Sequence, residues 1–377
     1  MMDTGEGETM TAVKLFLAGD VMPGRGIDQI LPHPGDHRLR EAVVRDARWY
    51  VRAAEQRNGP LSRPVPFTWP WGSALRSIES ADARIVNLET SVTRAPWFAS
   101  GKAVHYRMAP ENLPVLLSAK LDVCGLANNH VLDFGRDGLT DTLDALSSAG
   151  LRTVGAGRDA TAAAEPAVLR AGPARLVVFA AAASSSGVPE QWAAGAARPG
   201  VRWLPTVSAE SATALADEVV ASKRPGDVVV VSLHWGTNWG YGVSADQVAF
   251  AHRLVDAGAD VIHGHSSHHP RPIEVYRGRL VLYGCGDLVN DYEGISGFER
   301  YRGDLRLLYL PTVDAETGAL LALRVVPLQS RRLRLQRAGS ADARWLESVL
   351  SKISRPFGTR LDSGDGELRL SWRSHTW

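Results

Sequence analysis

The residues GDVVVVSLHW, at positions 226–235, form the clearest buried strand in the sequence, and their surroundings decide the fold class. Helical spacing follows at 244–258, and a second buried strand, ADVIHGH, occupies 259–265. A strand, a helix and a further strand in succession are typical of an α/β protein. The pattern therefore predicts a sheet with polar side chains, His234 and His265, at the carboxyl ends of neighbouring strands.

The same alternation fills the first two-thirds of the chain, and hairpins dominate later. Earlier buried strands are AVKLFLAGD (12–20), ARIVNLET (83–90) and LDVCGLANNH (121–130), and a long helix is predicted at 37–59. PIEVYRG and RLVLYGCGDL, at 272–288, form two strands around Arg-Gly, which is a hairpin signal. We see no internal repeat and no linker that would force two independent domains. The expected class is α/β with mixed rather than purely parallel sheets.

The composition is that of an ordinary globular protein. The chain has 377 residues, of which 45% are hydrophobic and 22% are charged, and a net charge of +1 does not favour nucleic-acid binding. The two cysteines, Cys124 and Cys285, lie in apolar runs and are interpreted as buried, reduced thiols. Residues 1–13 lack the basic and apolar regions of a secretory signal, and no run of 18 apolar residues occurs. We therefore expect a cytoplasmic protein with no membrane anchor and no nucleic-acid partner.

Each buried strand ends in a polar residue that could bind a metal ion. These residues are Asp20, Glu89, the run Asn128, Asn129 and His130, then His234, and finally the pair His263 and His265. In open α/β sheets, ligand sites lie outside the carboxyl ends of the strands. Taken singly, each residue has an ordinary explanation as a turn residue, a helix cap or a core histidine. Taken together, they favour one common site, because burying them without partners would be costly.

Carboxylate, imidazole and amide groups suit borderline-to-hard divalent ions such as Mn, Fe, Zn or Mg. The absence of cysteine among the candidate ligands argues against a structural zinc site. In the stretch VIHGHSSHH at 261–269, His263 and His265 are two residues apart on a strand, so both should face the site. His269, which precedes Pro270, is expected to face solvent.

Five blocks of the sequence resemble, in order, those of the CapA-type poly-γ-glutamate capsule biosynthesis family, which has a metallophosphoesterase-like fold. The blocks are LFLAGDVMPGRG (15–26), ADARIVNLETSVT (81–93), GLANNHVLDFGRDGL (125–139), SLHWGTNW (232–239) and GADVIHGHSSHHPRPIEVYRGRLVLYGCGDLV (258–289). The resemblance implies a four-layer αββα sandwich of two mixed sheets, metallo-dependent phosphatase-like, over residues 13–330. The tail at 331–377 is expected to be a strand–helix–strand extension packed on the same domain.

The resemblance also implies residue roles and one or two divalent metal ions (Mn, Zn, Fe or Mg). The implied metal ligands are Asp20, Glu89, Asn129, His234 and His265, with His263 or His268 as a further ligand. Glu89 stands where metallophosphoesterases have a metal-bridging aspartate, and His130 resembles their catalytic histidine. Met22 stands where those enzymes have a histidine, which favours one tightly held ion or two ions of unequal affinity.

The leading prediction is a soluble metal-dependent hydrolase, or a related acyl- or phosphoryl-transfer enzyme in a biosynthetic pathway. A metal-activated water would attack a small or peptide-like anionic substrate with an amide, γ-glutamyl or phosphate bond. His130 would act as the general acid. The alternative is a non-catalytic or weakly metal-binding CapA-type protein that assists the assembly of a poly-γ-glutamate capsule polymer. The metal content of the purified protein would separate the two.

Arginines and tryptophans near the blocks are candidates for contacting the substrate. Arg25 and Arg136 are predicted to assist catalysis and Arg107 to bind the substrate, because a guanidinium group grips carboxylate or phosphate as a planar fork. Trp69 and Trp239 are predicted to line the substrate pocket. The alternative for each arginine is a solvated surface position, and for each tryptophan it is plain packing.

Overall fold

The fold is described from a computed structural model, in which residues 11–373 are placed. The expected absence of a leader in residues 1–13 concerns residues that lie mostly outside this range. The helices are α1 (Arg48–Asn58), α2 (Ala74–Ile78), α3 (Pro114–Leu117), α4 (Gly135–Ser148), α5 (Ala160–Ala164), α6 (Ala209–Ser222), α7 (Ala245–Asp256) and α8 (Ser340–Ser354).

The strands alternate with these helices in the first part of the chain and follow one another in the second. The strands up to residue 204 are β1 (Ala12–Val21), β2 (Ala83–Leu88), β3 (Ser91–Val92), β4 (Arg107–Met108), β5 (Val123–Gly125), β6 (Arg152–Val154), β7 (Ala156–Gly157), β8 (Ala167–Ala171), β9 (Ala174–Ala183), β10 (Gly200–Val201) and β11 (Trp203–Leu204). The later strands are β12 (Asp227–His234), β13 (Val261–His265), β14 (Ile273–Tyr276), β15 (Arg279–Leu282), β16 (Asp287–Val289), β17 (Leu305–Asp314), β18 (Leu320–Ser330), β19 (Leu335–Arg337), β20 (Thr359–Gly364) and β21 (Glu367–Trp372).

The first sheet has ten strands, with β1 in its middle. Its order is β20–β21–β18–β17–β1–β2–β5–β6, while β16 pairs with β1 and β19 pairs with β18. Strands β1, β2, β5 and β6 run parallel, as does β16 beside β1, and the remaining pairs are antiparallel. Because parallel strands share one carboxyl edge, Asp20 and Glu89 come together there.

The second sheet has seven strands in the order β11–β9–β12–β13–β15–β14, with β8 beside β9. Strands β9, β12, β13 and β15 are parallel, whereas β8 and β14 are antiparallel to their neighbours. The stretch at 226–235 supplies β12, a central strand of this sheet. β12 is buried along its whole length. Both sheets are mixed, as predicted.

Two hydrophobic cores define the layers. Leu17 of the first sheet and Val230 of the second belong to one core that joins the sheets, and Leu139 of α4 belongs to the same cluster. A second core lies between the other face of the second sheet and the helices α6 and α7, which contribute Leu215 and Phe250. The predicted four-layer αββα sandwich of two mixed sheets is confirmed, and its likeness to metallo-dependent phosphatases stays a prediction.

The helix predicted at 37–59 is wrong in its first half. Only α1 is helical, and residues 37–47 form a closed loop in which Arg38 and Asp46 make an isolated antiparallel bridge. The side chain of Glu41 is buried and accepts hydrogen bonds from Arg25 and Tyr50. The conformation of this segment is thus set by long-range contacts, which can override a weak local helical preference.

The single strand predicted at 279–288 is also wrong, because the chain changes sheets within it. β15 ends in the second sheet at Leu282, and β16 begins in the first sheet at Asp287. Gly286, with φ of 73°, makes the turn between them. The hairpin of β14 and β15 around Arg-Gly is as predicted. Cys285 in this crossing and Cys124 in β5 are both buried and unpaired, as expected.

The residues after 330 contact both sheets. β21 pairs with β18 in the first sheet. In the second sheet, the backbone N–H of Ile273 donates to Ser354 Oγ at 3.0 Å, and Thr359 Oγ1 donates to the carbonyl of Ile273 at 2.6 Å. Within residues 11–373, no helix combines the length and the apolar composition that crossing a membrane requires.

Candidate metal centre

Three predicted ligands converge at the carboxyl ends of β1, β12 and β13. His234 and His265 are register partners on parallel strands, and their Nδ1 atoms lie 2.9 Å apart. Asp20 Oδ1 lies 3.9 Å from His265 Nδ1. One ligand atom from each of the three residues lies within 4.8 Å of the others, and none of the residues is more than 2% exposed. This arrangement, which we call the first group, can hold a metal ion.

A chain of hydrogen bonds selects the nitrogen that His265 offers. Its Nε2 lies 2.9 Å from Ser232 Oγ, which lies 3.1 Å from His263 Nδ1, and His263 Nε2 lies 2.8 Å from the carbonyl oxygen of Ala18. A carbonyl only accepts, so His263 carries its proton on Nε2, Ser232 donates to His263, and His265 donates to Ser232. The lone pair of His265 is then on Nδ1, which faces His234. His263, predicted to be a ligand, has both ring nitrogens engaged in this chain and is outside the first group.

Glu89 stands beside the first group, and Asn87 holds it there. Asn87 Nδ2 donates to Asp20 Oδ1 at 2.7 Å and to Glu89 Oε2 at 3.0 Å. The same nitrogen lies 3.5 Å from His234 Nδ1. Asn87 therefore links three predicted ligands that come from three separate strands or strand ends.

His130 faces Glu89, with Nε2 3.8 Å from Glu89 Oε1. Its Nδ1 lies 2.6 Å from Asp133 Oδ2, while Lys102 Nζ lies 3.0 Å from Asp133 Oδ1. The ring of Tyr106 packs edge-on against the imidazole, with centroids 4.6 Å apart. Burial lowers the pKa of His130 to about 4, so the imidazole is neutral near pH 7. Because a carboxylate accepts, the neutral ring donates from Nδ1 and keeps its lone pair on Nε2.

The two asparagines before His130 differ in their contacts. Asn128 Oδ1 accepts from the backbone N–H groups of His130 and Val131, each at 3.0 Å, so it shapes the turn. Asn129 Oδ1 is buried without a hydrogen-bond partner. A buried amide oxygen without a partner destabilises the fold unless a cation or a water molecule binds to it. Asn129 is therefore the member of the pair that fits the ligand role implied by the resemblance.

A second group of ligand atoms shares Asp20 with the first. It adds His268 and Asp287, and one ligand atom from each of the three lies within 4.8 Å of the others. His268 Nδ1 lies 2.9 Å from Asp287 Oδ1. Asp287 begins β16, where it is the register partner of Asp20. His268 was the predicted alternative to His263, whereas Asp287 was not predicted.

The unpartnered atoms of the site fit a divalent cation. Besides Asn129 Oδ1, the buried atoms Asp20 Oδ2 and His234 Nε2 have no hydrogen-bond partner. Burial, reinforced by the charge of Asp287, raises the pKa of Asp20 to about 7. Burial and the charge of Asp20 raise the pKa of Glu89 well above its usual value. A cation stabilises buried carboxylates that repel one another, and this donor set suits Mn, Fe or Zn.

The guanidinium of Arg25 is enclosed by other partners. It pairs with Glu41 at 2.8 Å and with Asp291 at 2.5 Å. It also lies over the rings of Tyr50, at 3.8 Å, and Tyr106, at 4.3 Å. Arg25 is 3% exposed, and these contacts tie the loop at 37–47 to the neighbourhood of the site. Its catalytic role stays a prediction.

The other predicted substrate contacts lie in different surroundings. Arg107 and Arg136 donate to backbone carbonyls at 2.9 Å and 2.7 Å, and Trp69 donates to a carbonyl of the C-terminal extension at 3.0 Å. Trp239 borders the second group, because its ring centroid lies 5.3 Å from that of His268. The structure thus places Trp239 beside the candidate site, and the roles of all four residues stay predictions.

The expectation that His269 faces solvent is wrong. It is 2% exposed, and its ring stacks on Tyr301 with centroids 4.3 Å apart. Tyr241 packs against it edge-on at 4.8 Å. The crossing between the sheets also covers this turn, because Pro270 and Cys285 form an isolated bridge.

Five residues of the site were not predicted: Asn87, Lys102, Asp133, Ser232 and Asp287. Two of them had a detectable signal, because Asn87 and Ser232 each lie two residues before a predicted ligand and so share its face of the strand. Asp133 lies three residues after His130, within reach in a single turn. Lys102 and Asp287 come from segments whose position depends on the tertiary fold, and no local pattern marks them.

Comparisons with known proteins agree with the resemblance. Residues 14–292 match the family model described as bacterial capsule synthesis protein PGA_cap. A probable polyglutamine synthesis accessory protein of Mycobacterium tuberculosis is 54% identical over 354 residues, which are 93% of this chain and 93% of that protein. The PGA biosynthesis protein CapA of Bacillus subtilis is 27% identical over 297 residues, which are 77% of this chain and 66% of that protein.

Two further similarities are more distant. The capsule biosynthesis protein CapA of Bacillus anthracis is 26% identical over 327 residues, which are 86% of this chain and 68% of that protein. The crystal structure of TT1561 of Thermus thermophilus aligns with 82% of this chain and 97% of that chain, with 10% identity and a TM-score of 0.37. The structural likeness is too weak to support a statement about function.

Proposed function

The chain belongs to the bacterial capsule synthesis protein PGA_cap family, and from that premise we propose that it is a metal-dependent hydrolase acting in the synthesis of a polyglutamyl polymer. Its substrate would be an anionic chain with an amide or γ-glutamyl bond, and phosphate esters form the second class to be tested. Support for the polymer comes from the relatives, whose names refer to polyglutamine synthesis and PGA biosynthesis. Support for hydrolysis comes from the site.

The observation that carries the proposal is the placement of His130 beside the first group. Its Nε2 faces Glu89, and its Nδ1 is held by Asp133. A divalent ion held by the first group, with Glu89 and Asn129 beside it, would supply Lewis acidity and would acidify a neighbouring water. Neutral His130 is set to accept a proton at Nε2 and then return it to the leaving group, whereas the sequence alone suggested only a proton donor.

Asp133 and Lys102 keep His130 in this state. The Asp133 carboxylate accepts the Nδ1 proton, which fixes both the tautomer and the direction of the ring. Lys102 pairs with the other carboxylate oxygen and donates to the backbone carbonyl of Asn129. Its side chain is 16% exposed, and its positive charge beside His130 favours a substrate with an anionic group.

The experiment compares His130→Gln with Asn129→Ala in metal-loaded protein. We expect His130→Gln to keep its metal content and melting temperature but to lose about 10²–10⁴-fold in turnover, because only proton transfer is removed. Asn129→Ala should lose metal. Elemental analysis and turnover of γ-glutamyl peptides and aryl phosphate esters provide the readouts. His252→Gln is a matched control, since His252 is half-buried on α7 and bonds Glu274.

A metal-loaded protein that turns over none of these substrates would contradict the hydrolase proposal. A His130→Gln variant as active as the parent would instead contradict the role of His130 in proton transfer. If none of the substrates is turned over, the second candidate function is favoured: a non-catalytic accessory protein in polymer assembly. Its support is the word "accessory" in the name of the 54% identical relative. In that case the parent should bind a polyglutamate chain without shortening it, as measured by size-exclusion chromatography of the mixture.

A further inference from the structure

Two tyrosines link the two sides of the candidate metal centre. The ring of Tyr106 packs edge-on against His130, with centroids 4.6 Å apart, and the ring of Tyr292 packs edge-on against His268, with centroids 5.4 Å apart. Their hydroxyl groups meet, because Tyr106 Oη donates to Tyr292 Oη at 2.7 Å. His130 faces Glu89 beside the first group, and His268 belongs to the second group. The tyrosine pair therefore extends along the site from one group to the other.

The hydroxyl group of Tyr292 is free to donate a hydrogen bond. A phenol donates one hydrogen bond and can accept others at the same time. Tyr292 accepts from Tyr106, and among the residues that the structure describes no group accepts from the Tyr292 hydroxyl. Tyr292 is half-buried, whereas Tyr106 is 1% exposed. Tyr292 is therefore the member of the pair that a bound molecule can reach.

Contacts on the other side of the pair hold both rings in place. The guanidinium of Arg25 lies over the ring of Tyr106 at 4.3 Å and over the ring of Tyr292 at 5.8 Å. Arg25 is itself fixed by the buried carboxylates of Glu41 and Asp291. A hydrogen-bond donor that is oriented before the reaction needs no rearrangement when charge develops on the substrate, which is the property of an oxyanion hole.

We propose that Tyr292 is a further catalytic residue, which donates a hydrogen bond to the oxygen that becomes negatively charged when water attacks the substrate. In an amide this is the carbonyl oxygen, which takes up an electron pair of the C=O bond as the bond to water forms. Tyr292 keeps its proton in this step and only donates the hydrogen bond. The inference rests on the proposed function. It assigns Tyr106 and Arg25 a positioning role, in place of the direct substrate contact predicted for Arg25 from the sequence.

The first measurement needs no turnover. Tyr292→Phe removes the hydroxyl and keeps the ring against His268. Isothermal titration calorimetry of the full-length, metal-loaded protein measures the binding of inorganic phosphate, a tetrahedral oxyanion. We expect the affinity to fall by about 10–100-fold, the effect of losing one hydrogen bond to a charged group, at unchanged metal content. Tyr276→Phe is the matched control, because Tyr276 is a half-buried tyrosine on the edge strand β14 whose hydroxyl contacts Asp256. It should bind phosphate as the parent does.

A double variant separates this contact from the packing of the pair. In Tyr292→Phe the buried hydroxyl of Tyr106 loses its acceptor, which lowers stability. The double variant Tyr106→Phe/Tyr292→Phe removes both hydroxyls and leaves no unpaired group, and it should bind phosphate as weakly as Tyr292→Phe. Phosphate affinity equal to that of the parent in either variant would overturn the proposal, and so would a parent that binds no phosphate at millimolar concentration.

Turnover provides the second measurement. With a substrate that the parent hydrolyses, Tyr292→Phe should lower kcat by about 10²–10³-fold with little change in KM, because the oxygen carries its charge only in the transition state. Tyr106→Phe leaves the Tyr292 hydroxyl present but less firmly oriented, so it should lower kcat by a smaller factor. An inactive parent whose phosphate affinity depends on Tyr292 would overturn the hydrolase proposal and the catalytic role together, while supporting the oxyanion contact.

Discussion

At the scale of single residues, the site depends on side chains that are not themselves ligands. Ser232 and His263 decide that His265 presents Nδ1, and Asp133 decides that His130 presents Nε2. Both histidines therefore reach the site in one tautomer, with the lone pair on the nitrogen that faces it. A ring that could offer either nitrogen would bind a metal ion or take up a proton less effectively.

Ser232→Ala tests the chain of hydrogen bonds behind His265. The change removes one hydroxyl and leaves two buried ring nitrogens without their partner. We expect Zn²⁺ affinity to fall by about 10–100-fold, the usual effect of losing a group that orients a metal ligand. Competition with a chromogenic chelator at constant pH measures the affinity. Ser211→Ala, a buried serine on α6, is the control and should bind as the parent does. Unchanged affinity in Ser232→Ala would show that the tautomer of His265 is set by something else.

All members of the first group could be predicted from sequence, whereas one member of the second group, Asp287, could not. Asp20, Glu89, His234 and His265 each end a strand with a strong apolar pattern, and parallel strands bring such ends together. Asp287 escaped prediction because the run that contains it looks like one continuous strand. Only tertiary packing shows that the chain leaves one sheet at Leu282 and enters the other.

At the scale of elements, the contact between β1 and the sheet crossing leaves no room for a side chain. A Cβ atom at Gly19 would lie 1.9 Å from the carbonyl oxygen of Gly286. The same carbonyl accepts a hydrogen bond from the backbone of Asp20 at 3.1 Å. The register that pairs Asp20 with Asp287 therefore depends on a glycine one residue before Asp20.

Gly19→Ala should push these strands apart. We expect the free energy of unfolding to fall by about 1–3 kcal/mol, as in other overpacked interiors, together with a lower metal content, because Asp20 directly follows Gly19. Urea unfolding and elemental analysis measure the two effects. Gly303→Ala serves as control, because a Cβ there meets nothing within 4 Å. A Gly19→Ala protein as stable as the control, with the same metal content, would show that the strands can separate without cost.

Elements with strong periodicity were predicted well, and the failures have a common cause. The strands β1, β12 and β13 and the helix α7 follow the apolar pattern of the sequence closely. The loop at 37–47 and the crossing after β15 do not, because long-range contacts decide their conformation. In the loop, Glu41 is buried against Arg25, a long-range contact that helical spacing does not reveal. In the crossing, pairing with β1 overrides the continuity of an apolar run.

At the scale of the whole molecule, α8 and β20 connect the two sheets. Ile273 of the second sheet donates to Ser354 and accepts from Thr359, while β20 pairs with β21, which joins the first sheet. Ser354 is fully buried, so its hydroxyl is the partner on which the backbone N–H of Ile273 depends.

Ser354→Ala should weaken this connection between the two sheets. The lost acceptor leaves a buried N–H unpaired, which costs about 1–3 kcal/mol. A lower urea midpoint with an unchanged slope is the expected result. Ser363→Ala on β20, at an exposed position, is the control and should shift the midpoint little. If the two variants unfold at the same urea midpoint, the hydrogen bond between Ile273 and Ser354 does not help to hold the two sheets together.

The central place of β1 has a consequence for how the chain is made. β1 precedes every other strand in the chain, yet its register partners include Tyr309 and Asp287. Contacts between such distant parts of a sequence form slowly, because a long loop must close first. Until residues 287–314 have been translated, β1 can pair with β2 but lacks its partners β16 and β17. We therefore expect stable ion uptake to require translation beyond β17, and nascent chains truncated before that strand to need protection from aggregation.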